Sequence, residues 1–414
     1  MGSENWYKID NVAKVFLASV TKRDPRTLRV SATLKDNIDP EALQEAVLSA
    51  IQDRPQVQVR IRRGLFWHYM EDTDILPAVA QEKEMCAMLY TPATAMLHYQ
   101  VTYFGRRINL ELFHALSDGT GALEFLNIIV LNYLKLKHPG ELDDVTIHSG
   151  ASANDLSQDS FRQFFGGMTG MGPTLKRAFR PGTLKLPFDQ LQFFEIHMPV
   201  AQIIPMTKKL GVSMTSFFGA EWMMAVRAEL PPRSSHMPIT VTLPVNLRNY
   251  YPSNTVRNFF TNVNVTHTFD SAITVDELAV EFDRSLKSQL TQENVKKVMD
   301  GFETIEYVAP VRPVPLFIKQ LAIRHATKVA DKNVSVILSN LGVQKPPAEM
   351  AKYIENYSAY CSSQNLFSTM SSYNGELTLG VTLPFTNTGA VKNLVRSLSA
   401  QGVDIKVYAT EVII

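Results

Sequence analysis

Period-two strand segments interleaved with amphipathic helical ones predict a mixed α/β fold, an α+β arrangement with mixed sheets. Three observations carry that expectation. Ile108, Leu110 and Leu112 alternate with Asn109 and Glu111, and a strongly apolar helical stretch from Leu123 to Leu134 follows within a few residues. Asp39-Pro40-Glu41 and Thr274-Val275-Asp276-Glu277 are helix starts, the first an acid cap with proline at the first helical position, the second a capping box. A chain of 414 residues also exceeds what one ordinary core serves, so two domains or lobes are expected.

Whole-chain numbers narrow the function classes. With 45% apolar and 20% charged residues the composition is that of a soluble globular protein. A net charge of +1 gives no electrostatic reason to bind nucleic acid or an anionic membrane. Cys86 and Cys361 are the only cysteines, which suits a reducing compartment and excludes both a disulfide framework and a cysteine zinc site. The start, Met1 to Trp6, has neither the basic residues nor the apolar run of a signal peptide. The most apolar segment, 122–136, is interrupted by Glu124, Asn127 and Asn132 and falls short of the ~20 residues a membrane span needs. A cytoplasmic protein without stable membrane insertion is expected.

In the first half, Lys14–Ser19 and Leu28–Leu34 read as strands. The helix opened by Asp39 places Leu43, Val47, Leu48 and Ile51 on one stripe. Gln56–Ile61 and Leu65–Met70 read as strands, and Gln100–Phe104 and Ile108–Phe113 flank the two-residue turn Gly105-Arg106 as a hairpin. If the last strand keeps its pleat, His114 falls on the face of Ile108, Leu110 and Leu112 and points inward. Ser117 and Asp118, just after it, are both good helix caps. Between Pro139 and Leu191 the composition turns polar and then glycine-rich. The glycines follow no strand and lack Gly-Lys-Ser/Thr, so a crossover rather than a phosphate loop is expected.

In the second half Phe193–Val200, Ile239–Val245, Asn333–Leu338, Leu377–Leu383 and Val403–Ala409 read as strands. Helices are expected at Thr207–Leu210 (its end), Ser213–Glu229, from Thr274 to about Leu290, and Thr388–Ala400. Ser339-Asn340-Leu341-Gly342 reads as the turn that ends a buried strand.

Phe113-His114-Ala115-Leu116-Ser117-Asp118-Gly119, an HxxxDG at the end of a strand, resembles the signature of the chloramphenicol acetyltransferase-like superfamily, which includes condensation domains and CoA-dependent acyltransferases. The resemblance implies two similar lobes with a channel between them: 1–150 carrying the HxxxDG turn, 151–190 as crossover and 191–414 as the second lobe. Arg54 to Arg60 sits where such proteins place a short motif between helix and strand, and Arg248 followed by Phe259-Phe260-Thr261-Asn262 resembles the superfamily's basic residue and its "G-F-F-x-N" block. In the family that arginine pairs with the aspartate; a buried Asp118 needs such a partner, and Arg257 is the other candidate. His114 would be the general base and Asp118 would hold the turn. Gly119, Asn262, Ser339 and Asn340 are implied as channel or oxyanion residues, although Ser339–Gly342 equally suits an ordinary turn. Phe164, Met168 and Met171 are either pocket or linker residues.

Position 113 is Phe where condensation domains usually have a second histidine, and the D-F-G-W-G block of plant acyltransferases is missing. Together with the Asn5-Trp6-Tyr7-Lys8-Ile9-Asp10 start, these departures look most like the bacterial alcohol acetyltransferase-like group. The implied reaction is direct acyl transfer from acyl-CoA to an alcohol or amine, with no metal and no bound cofactor. An acyl-phosphopantetheine on a carrier protein as donor, or a catalytically silent binding scaffold, are the alternatives. No G-x-S-x-G or H-E-x-x-H is present to support serine-hydrolase or zinc chemistry.

Overall fold

Capping aspartates open the three helices of the first lobe in the computed structural model, which describes residues 6–92, 96–147, 153–167, 176–182, 184–187, 190–307 and 313–410. This lobe runs β1 (Trp6–Lys8), α1 (Asn11–Ser19), β2 (Thr27–Leu34), α2 (Pro40–Asp53), β3 (Val59–Arg63) and β4 (His68–Asp72). Then come β5 (Ala80–Gln81), β6 (Tyr99–Phe104), β7 (Arg107–Phe113) and α3 (Gly119–Lys137). Asp10, Asp39 and Asp118 each accept from a backbone N–H two or three residues on, so every helix begins where its orphan donors find an oxygen.

Asp10 also corrects one expectation. Lys14–Ser19 is not a strand but the body of α1. Its apolar run is too short to distinguish strand from helix. The cap at Asp10 and the four-residue spacings Val12–Phe16 and Ala13–Leu17 decide for helix. Gln56 and Val57 likewise turn in a short 3₁₀ segment before β3 begins, and the β4 strand starts at His68 rather than Leu65.

Two short helices, α4 (Ala153–Ser157) and α5 (Ser160–Phe164), lie in the crossover; Met168 and Met171 fall outside the described residues. The second half runs β8 (Gln192–Pro199), α6 (Val200–Leu210), α7 (Met214–Arg227), β9 (Ile239–Asn246) and β10 (Phe260–His267). It continues with α8 (Val275–Gln289), α9 (Gln292–Tyr307), α10 (Leu316–Asp331), β11 (Val336–Val343) and α11 (Ala348–Ala351). It ends with β12 (Ile354–Cys361), β13 (Leu366–Tyr373), β14 (Glu376–Leu383), α12 (Gly389–Ala400) and β15 (Lys406–Ala409).

The strands form three sheets, β1-β4-β3, β12-β2-β7-β6-β5 and β10-β9-β11-β13-β14-β8-β15. One apolar core joins the five-stranded sheet to α2 and α3, and a second joins the seven-stranded sheet to α7, α8 and α12. The fold is thus a mixed α/β arrangement in two lobes. They are not sealed from each other by sequence: β12, from the second half, pairs antiparallel with β2 of the first, Ala359 opposite Val30.

On β7 the alternation holds but both faces are buried. Arg29 donates from the neighbouring β2 to Glu111 at 2.8 Å, and Glu111 also accepts from the backbone of Cys86 and Ala87. A carboxylate can sit there because it is both paired and hydrogen-bonded.

Candidate active site

The β7 strand delivers His114 beside the start of β2, where its backbone N–H donates to the Arg26 carbonyl at 2.8 Å. Arg26 is itself in the left-handed region, φ 53°, and its backbone and guanidinium are both held by Asp24. The strand pleat does not continue to His114 as expected; the chain turns at once, with Leu116 N–H donating to the Phe113 carbonyl. His114 is half-buried, its ring stacked on Phe16 of α1 at 4.4 Å and tilted against Phe260 at 5.9 Å. Nδ1 faces the interior and finds no partner at hydrogen-bonding geometry.

Burial pushes the His114 pKa below the usual histidine value, against the upward pull of its own carbonyl, Asp118 and Asn258; Arg26 adds to the lowering. The imidazole is therefore neutral at pH 7, the form a general base needs.

Asp118 is 5% exposed and accepts four hydrogen bonds. Oδ1 caps α3 through Thr120 and Gly121 N–H. Oδ2 receives Arg248 Nη1 at 2.7 Å and Phe259 N–H at 3.0 Å. Arg248 stands just past β9 in the second lobe, and its remaining donors reach the carbonyls of Thr255 and Arg257 and the Asn246 side chain. Of the two candidate partners, the structure brings Arg248 to Asp118; Arg257 instead donates to the Lys8 carbonyl at 2.5 Å.

The same segment is laced to the turn at three further points. Ser117 Oγ donates to the Val256 carbonyl at 2.6 Å, Asn246 Nδ2 to Thr120 Oγ1 at 3.2 Å, and Asn258 Nδ2 to the His114 carbonyl at 2.9 Å. The approach at Val256 leaves no room for a Cβ on Gly121. Asn258 and the Val256 contact of Gly121 are not legible in the sequence, because their partners lie more than a hundred residues away. Arg54, in the motif after α2, pairs with Glu124 of α3 at 2.5 Å.

The remaining residues are disposed differently. Ser339–Gly342 does not end its strand: β11 runs on to Val343 with a register slip between Asn340 and Gly342. The slip lets Asn340 Oδ1 accept from Gly342 N–H while Asn340 Nδ2 donates to Thr215. Ser339 is half-buried beside it, and Leu341 reaches the α3 start, where a Cβ on Gly119 would meet Leu341 Cδ2 at 2.6 Å. Asn262 is exposed on β10 opposite Pro244. Phe164 packs against Tyr251 and Phe259 in an aromatic seam to which Phe16, Phe161 and Phe260 also belong.

A cavity of about 920 Å³ is lined by Trp6, Ile9, Lys14, Trp67, His68 and Asp159 among others. Lys14 and Phe16 are two residues apart on α1 and so point to nearly opposite sides, which sets this cavity across the helix from the His114 ring. Among the described residues no group of His, Cys, Asp or Glu is disposed to hold a metal, and no helix is long and apolar enough to cross a membrane.

No protein-family model matches the chain, and no curated protein matches it either. Solved structures do. TRI101 of F. sporotrichioides, complexed with coenzyme A and T-2, superposes with a TM-score of 0.66 at 12% identity, over 97% of this chain and 99% of that one. The TRI3 trichothecene 15-O-acetyltransferase of Fusarium sporotrichioides gives 0.63 at 10% identity, covering 97% and 96%. The epimerization domain from the third module of tyrocidine synthetase B gives 0.58 at 13% identity, covering 96% of each. These full-length superpositions, with the two-lobed sheets and the HxxxDG turn between them, give the chain the fold of the chloramphenicol acetyltransferase-like and condensation-domain superfamily.

Proposed function

We propose that the protein is an acyltransferase that moves an acyl group from an acyl-CoA thioester to an alcohol or amine, in the manner of the bacterial alcohol acetyltransferase-like group. The observation that carries the proposal is the half-buried His114, held at the lobe junction by a turn that Asp118 and Arg248 lock; its lowered pKa is in keeping with a base. His114 takes the proton of the acceptor as its oxygen or nitrogen attacks the thioester carbonyl. The tetrahedral intermediate collapses, the C–S bond breaks, and the leaving thiolate recovers that proton from the imidazolium as free CoA. Such general-base help is worth ~10²–10⁴-fold, and alignment of both substrates adds to it. Asp118 and Arg248 position the turn. Ser339 and Asn340, on the strand that reaches the α3 start through Leu341, and Asn262 on β10 are the polar groups we assign to the channel, with Gly119 giving Leu341 room against the turn. The buried, unpaired Cys86 and Cys361 fit a reducing, cytoplasmic setting.

An acyl-CoA panel offered with and without alcohols and amines, read as thiol release, tests the proposal. Acceptor-dependent release supports it. Turnover only with an acylated carrier protein would replace the donor, a reading for which the likeness to a peptide-synthetase domain speaks. No turnover with either donor would leave a binding scaffold.

A further inference from the structure

Two buried polar atoms beside the turn, His114 Nδ1 and Asn258 Oδ1, lack partners at good hydrogen-bonding geometry. The other arm of the same amide is engaged: Asn258 Nδ2 donates to the His114 carbonyl at 2.9 Å. That bond fixes which way the amide faces, because the reversed amide would set two acceptors against each other. Asn258 is 2% exposed, so water cannot substitute for a missing partner, and an unsatisfied carbonyl there would be costly. His114 Nδ1 is likewise buried without a partner, and when protonated it is a donor for that oxygen.

We infer that Asn258 is a positioning residue for His114: its Oδ1 holds the proton on Nδ1, leaving the Nε2 lone pair free to take the acceptor's proton. The histidine thus carries a neutral amide behind it. Its own carbonyl shares the task. Asp118, on the same turn, and Arg26, from the start of β2, are the charged groups that bear on the ring. A neutral acceptor fixes the tautomer without adding a charge that would raise the ring's basicity as a carboxylate does. The catalytic use of Nε2 rests on the acyltransferase reading; the tautomer does not.

The test is ¹⁵N NMR of histidine-labelled protein, with the His114 signals identified by their loss in His114→Ala. At neutral pH the wild type is expected to show a protonated Nδ1 and a bare Nε2. Asn258→Ala should shift the proton toward Nε2 and lower kcat about tenfold, the worth of one hydrogen bond, with KM for acyl-CoA unchanged. Asn258→Asp keeps an acceptor for Nδ1 while giving up the donor to the His114 carbonyl; it should keep the Nδ1–H tautomer and move the acid limb of the rate to higher pH. A wild type protonated on Nε2, or a tautomer that Asn258→Ala leaves unchanged, overturns the inference. Should Asn258→Ala not fold, the Asn258→Asp pH shift decides. The expected tautomer in a protein that transfers no acyl group would sink the enzyme reading and leave the role of Asn258 standing.

Discussion

Replacing Arg248 by Ala should strip the HxxxDG turn of its tie to the second lobe, and the size of the effect can be worked out from the contacts. Arg248 is 13% and Asp118 7% exposed at the side chain, so this is a nearly buried pair. Removing one member of such a pair costs about 3–5 kcal/mol, most of it from the stranded charge. Asp118 keeps three N–H donors, from Thr120, Gly121 and Phe259, and some water can follow the shortened side chain, so about 3 kcal/mol is expected. Asp118→Asn keeps the helix cap but strands the Arg248 charge and turns an NH2 toward Arg248 and the Phe259 N–H, so it too should cost about 3 kcal/mol. The double variant should cost less than the sum, with a coupling of about 1.5–3 kcal/mol, the range for hydrogen bonds to charged groups. Urea unfolding of the four proteins, read at constant m, gives the cycle. Additive variants would refute the view that the two side chains form one device. So would an Arg248→Ala protein as stable and as active as the parent.

Other expectations follow from the same geometry. Phe16→Ala removes the ring stacked on His114; kcat should fall while acyl-CoA affinity holds, and stability should drop by about 2 kcal/mol, less than for a fully buried phenylalanine, because Phe16 is half-buried. Loss of affinity with kcat intact would contradict its role behind the imidazole. Because burial lowers the His114 pKa, the acid limb of kcat/KM should lie below pH 6.5, with a plateau at neutral pH; a midpoint above 7 would contradict the assignment. On β8, burial opposes the charge on His197, but hydrogen bonds to Glu195 and Glu376 outweigh it and raise its pKa. Its folded value thus exceeds its unfolded one, so its contribution is full below about pH 6.5 and lost as pH rises through the folded value. The stability gap between wild type and His197→Gln should shrink from pH 6 to pH 9, and a gap that widens would refute this.

Local chemistry carried far in this sequence, and long-range pairing did not. The caps at Asp39 and Thr274, the Gly105-Arg106 hairpin and Gly211 after α6 are set by neighbours within a few residues, and each stands where the sequence puts it. The HxxxDG turn is local too, and the family resemblance it carries, rather than any neighbouring residue, points to Arg248 as the partner its buried aspartate needs. Asp10 is an equally local cap, and it, not the short apolar run 14–19, decides that α1 is a helix. The β12 strand is another matter: whether Ile354–Cys361 joins its neighbours or crosses to β2 depends on sheet edges more than 300 residues away. The register slip that carries β11 through Ser339–Gly342 depends on a nearer strand, β13, with Val336 opposite Leu366. Asn258 is invisible for that reason as well, since nothing near it in the chain explains an amide whose partner is the backbone of His114.

The most direct test of the central claim is single-turnover acyl transfer by His114→Ala, in protein whose unfolding curve matches the wild type. With the base gone and both substrates still bound, the transfer step should slow by at least about 10²-fold, the lower end for a lost general base. A transfer rate equal to the wild type would show that the proton leaves by some other route and that His114 is not the base.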